Sequence, residues 1–337
     1  MISVLTWGAA ALAVCGWVSV CALAVRRFVL VRLERRRGKA ELRLRRVALA
    51  LLEGESVDLT DLNGDDADVL ATVLGRFGRN LRGATTARIA SFFERQGEVY
   101  RQLEALGSRR PWRRATAAFV LGDMGSRQGI ASLRAALDDP DLAVRSAAAR
   151  SLGRLGEPTA VEPLVQALAE RRIPRSVAGQ ALLAIGEPAL PVLRNLVRAP
   201  EPEARGLAVE LVGLLGAASD GAELVGRLRD SSAEVRANAA HALGKLGAEE
   251  GAAELRGALG DRIPFVRAAV ARALGVVGDA DAVPELLQVA REDSFDPARA
   301  AAGAAARLDP AAVRYAAAVP GAGPHLHEAA DLVEMAG

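Results

Sequence analysis

Few residues in this sequence are of the kinds that do covalent chemistry, and their spacing decides what they are for. Its 337 residues include 3 histidines and 2 cysteines. His325-Leu326-His327 outlines a chelating pair, but two imidazoles without further ligands hold a metal only weakly. His241 is followed by Ala242, so the sole His-Glu neighbours are His327-Glu328. Cys15 and Cys21 share an apolar run, lack metal-ligand spacing to any histidine and cannot form a disulfide framework. Residues 59–70 carry Asp61, Asn63 and Gly64 as a calcium loop does, yet Leu59 and Leu70 stand where its first and twelfth ligands are needed. There is no GxxxxGKS/T phosphate cradle and no GxSxG nucleophile turn. The sequence therefore predicts no catalytic site, no metal, no cofactor and no enzyme activity.

The informative pattern is architectural. Gly125, Gly156, Gly186, Gly216, Gly247 and Gly278 stand 31, 30, 30, 31 and 31 residues apart. Eleven residues before each lies an arginine: Arg114, Arg145, Arg175, Arg205, Arg236 and Arg267. The clearest copies read VRSAAARSLGRLG from Val144, VRANAAHALGKLG from Val235 and VRAAVARALGVVG from Val266. A period near 30 with apolar residues at helical spacing means stacked helix pairs, each too small to bury its own faces. Pro140-Asp141, Pro174, Pro200 and Asp261 are placed to open first helices, and each closing glycine to permit a left-handed turn. The second helices present Val161, Leu164, Val165 and Leu168, or Val283, Leu286 and Leu287, to their neighbours.

This pattern resembles the HEAT repeat, in the short bacterial form also found in phycobilin lyases. The resemblance covers residues 110–310 as six clear units and a decayed seventh near 293–308. It implies an all-α, HEAT-like α-solenoid, and it implies that the six arginines form a ladder with acidic residues of adjacent units. HEAT-type deoxyhypusine hydroxylases carry His-Glu pairs in several repeats for a di-iron centre, and this array has none. The third and fourth units deviate: Leu183 replaces a glycine, and Pro188, Pro191, Pro200 and Pro202 cluster there, which predicts a change in curvature.

The remaining segments predict where the array is held. Residues 2–25 carry no charge, long enough as a helix to cross a bilayer, and Arg26, Arg27, Arg32, Arg35, Arg36, Arg37, Lys39, Arg43, Arg45 and Arg46 follow. Nothing basic precedes the run, so an uncleaved anchor is expected over a signal peptide. Positive charge stays inside, which predicts a single-pass cell-membrane protein with its N-terminus outside and the repeats in the cytoplasm. Gly8, Ala11, Cys15, Ser19 and Ala22 form a small-residue stripe, a candidate packing face for another membrane helix. The domain reading is an anchor over 1–27, a basic juxtamembrane helix and helical adaptor over 28–109, the solenoid over 110–310, and a C-terminal cap or tail over 311–337. Helical periodicity in the adaptor falls at 40–52, 66–81, 85–96 and 99–106, and Trp112 reads as a core or capping aromatic.

Charge distribution bears on partners. Residues 107–337 hold 27 basic and 29 acidic side chains, so the array lacks the basic excess that nucleic acid would require. The expected function is a membrane-anchored cytoplasmic scaffold that binds a protein partner, itself membrane-associated. Arg134, Glu162, Gln166, Arg194, Arg227 and Arg256, on the second helices, are the candidate partner-binding groove. Single-span HEAT proteins of this build look like ones beside membrane glycosyltransferases, which implies an accessory subunit of a glycosyltransferase or polysaccharide synthase. The alternative is a regulatory or sensor module whose groove binds a small ligand or a signalling domain.

Overall fold

The computed structural model describes residues 40–53 and 84–336, with Arg27, Glu55, Asp66, Val69, Leu70, Val73 and Leu74. The apolar run 2–25 with its stripe (Gly8, Ala11, Cys15, Ser19 and Ala22), residues 28–39 and most of 59–70 lie outside the described residues. Among the described residues there is no strand, and no single helix is long and apolar enough to cross a membrane. The chain falls into two compact units, one of residues up to 103 with 123–128, the other of 104–122 with 129–337.

In the first unit, residues 40–53 are helical and bury Leu44 and Ala48. Helix α1 (Ala84–Arg95) buries Ile89, Phe92 and Phe93. Arg88 of α1 donates to the Leu52 carbonyl at 2.8 Å, a cation placed at the negative end of the 40–53 helix. Gly97, at φ +68°, turns the chain into α2 (Glu98–Leu106).

Seven helix pairs build the second unit: α3 (Pro111–Met124) with α4 (Ile130–Ala135), α5 (Leu142–Leu155) with α6 (Val161–Ala169), α7 (Arg175–Ile185) with α8 (Leu190–Leu196), α9 (Pro202–Leu215) with α10 (Gly221–Val225), α11 (Ala233–Leu246) with α12 (Ala252–Ala258), α13 (Pro264–Val277) with α14 (Val283–Glu292), and α15 (Phe295–Leu308) with α16 (Pro310–Ala317). The last helix, α17 (Pro324–Ala336), packs on α15 and α16. Every second helix from α4 to α14 buries one leucine at the same register: Leu133, Leu164, Leu193, Leu224, Leu255 and Leu286 are all 0% exposed. Each is worth roughly 1.5–3 kcal/mol of apolar transfer.

Small residues on the first helices set how closely the pairs stack. A Cβ built on Gly153 falls 2.6 Å from the Ala181 Cα, and one on Gly213 falls 2.6 Å from the Ala242 Cα. Each glycine thus lets the next first helix approach to backbone contact. Leu183 holds that register in α7 and points to solvent, 42% exposed. Of the successive first helices from α5 onward, α7 and α9 accordingly touch least.

Two expectations need correction. Gly216 ends α9 at φ −78°, not in the left-handed region occupied by Gly125, Gly156, Gly186, Gly247 and Gly278. Space is what demands glycine there, since its Cβ would meet Asp220 Oδ2 at 2.5 Å and the Val212 carbonyl at 2.6 Å. Glu201 holds the N-cap position of α9 without a side-chain cap bond and Pro202 opens the first turn, so Pro200 lies just before the helix.

Candidate interaction surface

The repeat arginines are spent inside the array. Arg236 donates from Nε and Nη2 to Asp261, at 2.6 and 3.0 Å, and from Nη1 to the Asp230 carbonyl at 2.9 Å. Asp261 also accepts the Ile263 backbone N–H at 2.8 Å, just before α13 begins. One carboxylate therefore clamps the preceding repeat and shapes the start of its own. The same two-pronged bond joins Arg114 to Asp139, Arg205 to Asp230 and Arg267 to Asp293. Each aspartate lies 25 or 26 residues after its arginine.

The ladder is interrupted in the middle. Arg145 meets only carbonyls, those of Asp139, Pro140 and Arg172. Arg175 bonds to Glu210 of the next repeat, at 3.3 Å, and reaches past it to Glu234 of the one after. No aspartate stands 25 or 26 residues after either arginine: the chain there reads Glu170-Arg171 and Pro200-Glu201.

Bonds from Arg114, Arg194, Arg236 and Arg267 hold Asp139, Asp220, Asp261 and Asp293 below the usual carboxylate range. For Asp230, burial pushes the pKa up, and the bonds from Arg205 and the Ser232 amide outweigh it. A carboxylate depressed on folding stabilises the fold above its unfolded pKa, about 3.9, and that contribution is lost as pH falls through the lower folded value. The urea midpoint should accordingly be flat from about pH 5 to 8 and drop below about pH 4. A steep loss already at pH 6 would mean that these pairs do not govern acid stability.

A second set of ion pairs occupies the second helices. Of the groove candidates, Arg194 pairs with Asp220 at 2.7 Å, Arg256 with Asp281 at 3.3 Å and Asp279 at 3.5 Å, and Arg227 sits 4.0 Å from Asp230. Arg198, next along α8, is paired with Glu223. Arg134 and Glu162 are exposed, and exposed Gln166 donates to Glu170 at 2.9 Å. The structure thus turns three of the six candidates toward neighbouring acids. Sequence held the signal: Arg194–Asp220, Arg198–Glu223 and Arg256–Asp281 repeat the 25–26-residue offset of the first ladder.

Trp112 is neither core nor cap. It is 61% exposed at the start of α3, with the Arg113 guanidinium 5.3 Å from its ring centre. Trp112→Ser should therefore change unfolding free energy by no more than about 0.5 kcal/mol, measured by urea denaturation; a loss of several kcal/mol would show that the ring is buried in solution. His325 packs edge-on against Phe295, with ring centres 4.7 Å apart. Among the described residues no group of three or more His, Cys, Asp or Glu side chains is placed to hold a metal ion.

Stacked helix pairs of about 30 residues, joined by an arginine–aspartate ladder, define an α-solenoid. The family profile for HEAT repeats matches residues 102–183 and 221–307, together half of the chain, and the chain belongs to the HEAT-repeat family. The unmatched stretch between them holds α8 and α9. No curated protein matches the sequence. Among solved structures it is similar to human deoxyhypusine hydroxylase in complex with glycerol, at 21% identity over 80% of this chain and 97% of that one, TM-score 0.33. It is similar to the CpcE–CpcF complex of phycocyanin lyase from Nostoc sp. PCC7120, at 23% identity over 78% and 94%, TM-score 0.30. An archaeal HEAT-like repeats protein from Thermococcus onnurineus NA1 shares 14% identity over 61% and 96%, TM-score 0.40. These likenesses concern the fold alone.

Proposed function

We propose that this chain is a non-enzymatic scaffold, held at the cell membrane by its N-terminal apolar segment, whose cytoplasmic repeats bind a protein partner. The observation that carries the reading is the array itself, a stack of helix pairs whose charged ladder side chains are committed to one another. Anchoring is supported by the 24 uncharged residues 2–25 and the basic cluster after them. An accessory role beside a membrane glycosyltransferase or polysaccharide synthase is the sharpest form of the proposal, resting on resemblance to single-span HEAT proteins. The sensor alternative calls for a deep apolar pocket. One cleft, of about 200 Å³, is lined by Leu214, His241 and Lys245; a wider hollow of about 680 Å³ is lined by Asp230, Arg236 and Asp261, which are already bonded within the ladder.

The test is purification of the full-length protein in mild detergent beside a version starting at Ala40, with mass spectrometry of what accompanies each. An integral-membrane enzyme retained mainly by the full-length form supports the accessory reading. A soluble partner held equally by both assigns binding to the repeats alone. No stoichiometric partner with either form would sink the scaffold proposal.

A further inference from the structure

We infer that the partner docks on the outward face of the first helices, not in the second-helix groove, and that it does so with an acidic amphipathic helix. This deepens the scaffold reading and rests on it. The fifth and ninth residues after each ladder arginine lie one turn apart, on the same side of their helix. In α5, α9, α11 and α13 the fifth residues are Arg150, Glu210, His241 and Arg272, all exposed. Leu214, Lys245 and Val276 follow at the ninth position and are also exposed; Leu183 joins them from the eighth position of α7.

Charge on this strip is unbalanced. Arg150, Lys245 and Arg272 make no hydrogen bond or ion pair among the described residues. The one carboxylate at these register positions from α5 to α13, Glu210, is bonded to Arg175. The second helices show the reverse, with Arg194, Arg198 and Arg256 each facing an acid of the next repeat. An acidic partner therefore gains unpaired cations on the first-helix face and must break existing pairs on the other.

Apolar anchors interrupt the cations. Leu183 and Leu214 are each 42% exposed and Val276 is 59% exposed. Beside Leu214, a cleft of about 200 Å³ is lined also by Glu210, Asn238, His241, Ala242 and Lys245, a notch with room for one apolar side chain. Partial desolvation, with the Arg272 and Lys245 charges beside it, holds the His241 imidazole below its usual pKa, which favours the neutral ring. Packed helices sit about 8–10 Å apart. Two turns of a helix advance about 10.8 Å, so a helix laid across the strip meets each successive repeat with residues seven apart. Apolar residues at that spacing, flanked by Glu or Asp, match the row of leucines and cations.

The test uses the full-length protein in cells, with the photo-crosslinking residue p-benzoylphenylalanine replacing Leu183, Leu214, Arg134 or Gln166 one at a time. Mass spectrometry then reads the sequence of every cross-linked segment. The expected result is adducts from positions 183 and 214 on an acidic helical segment, reduced at least tenfold when Arg150→Glu, Lys245→Glu and Arg272→Glu are combined. Those three side chains are exposed and unpaired, so the melting midpoint should be unchanged, separating lost binding from lost fold. Adducts only from positions 134 and 166, a segment without acidic character, lipid adducts alone, or a signal indifferent to charge reversal would overturn the inference and leave the scaffold reading standing. No protein adduct from any position, together with no partner in the detergent purification, overturns both.

Discussion

Asp261→Ala is expected to lower the unfolding free energy of the array by about 3–5 kcal/mol, because it strands a buried cation. The Arg236 side chain is 7% exposed, and its two bonds to Asp261 are the only ones it makes to a carboxylate. Removing the acid leaves a guanidinium that cannot lose its proton, bonded only to the Asp230 and Ser231 carbonyls. The Ile263 N–H loses its acceptor as well, a hydrogen bond worth about 0.5–1.5 kcal/mol. Replacing both partners, as Arg236→Met with Asp261→Ala, should recover part of the loss, since a buried pair exchanged for apolar groups is often nearly neutral. Urea unfolding followed by circular dichroism reads all three variants. Asp281→Ala is the control: its side chain is 82% exposed, and the change should stay within about 0.5 kcal/mol. Equal losses at 261 and 281 would refute the account.

Gly213→Ala should destabilise by about 1–3 kcal/mol, although alanine is the better helix former by about 1 kcal/mol. The added methyl falls 2.4 Å from the Ala242 Cβ and 2.6 Å from its Cα, so α11 as a whole must move. Gly257→Ala in α12 supplies the opposite sign, because nothing lies within 4 Å of its new Cβ. Relieved of any clash, that exchange should stabilise by up to about 1 kcal/mol. The two substitutions share one chemistry and differ only in the distance to the neighbouring helix. If both stabilise, the close approach of α9 and α11 is wrong.

The solenoid was legible because its period is a one-dimensional property, written into the chain by Gly125 through Gly278 and the arginines eleven residues before them. Ladder partners were half legible: the resemblance implied acids of adjacent units, and Asp139, Asp230, Asp261 and Asp293 fill that role. Misplacing Trp112 had a physical cause. A helix start has no periodicity behind it, so hydrophobicity alone suggested burial, while the ring lies along Arg113 in solvent. Arg194 and Arg256 are legible in the sequence as exposed positions of a candidate groove, whereas their acids, Asp220 and Asp281, sit in the next repeat and meet them only on stacking. The first-helix strip escaped notice for the same reason. Arg150, Lys245 and Arg272 are ordinary surface residues until the missing acids around them are counted.

The interrupted ladder also has a mechanical meaning. An array in which each unit touches only its neighbours behaves as a chain of coupled springs, and its weakest coupling decides where it yields. Between α7 and α9 the close-approach glycine is replaced by Leu183, and Arg175 has no aspartate rung. Tension applied to the two ends therefore parts α7 from α9 first, with the blocks on either side still folded. Leu183 and Leu214 lie on opposite sides of that breach, so a partner bridging them is released by stretch before any helix unwinds.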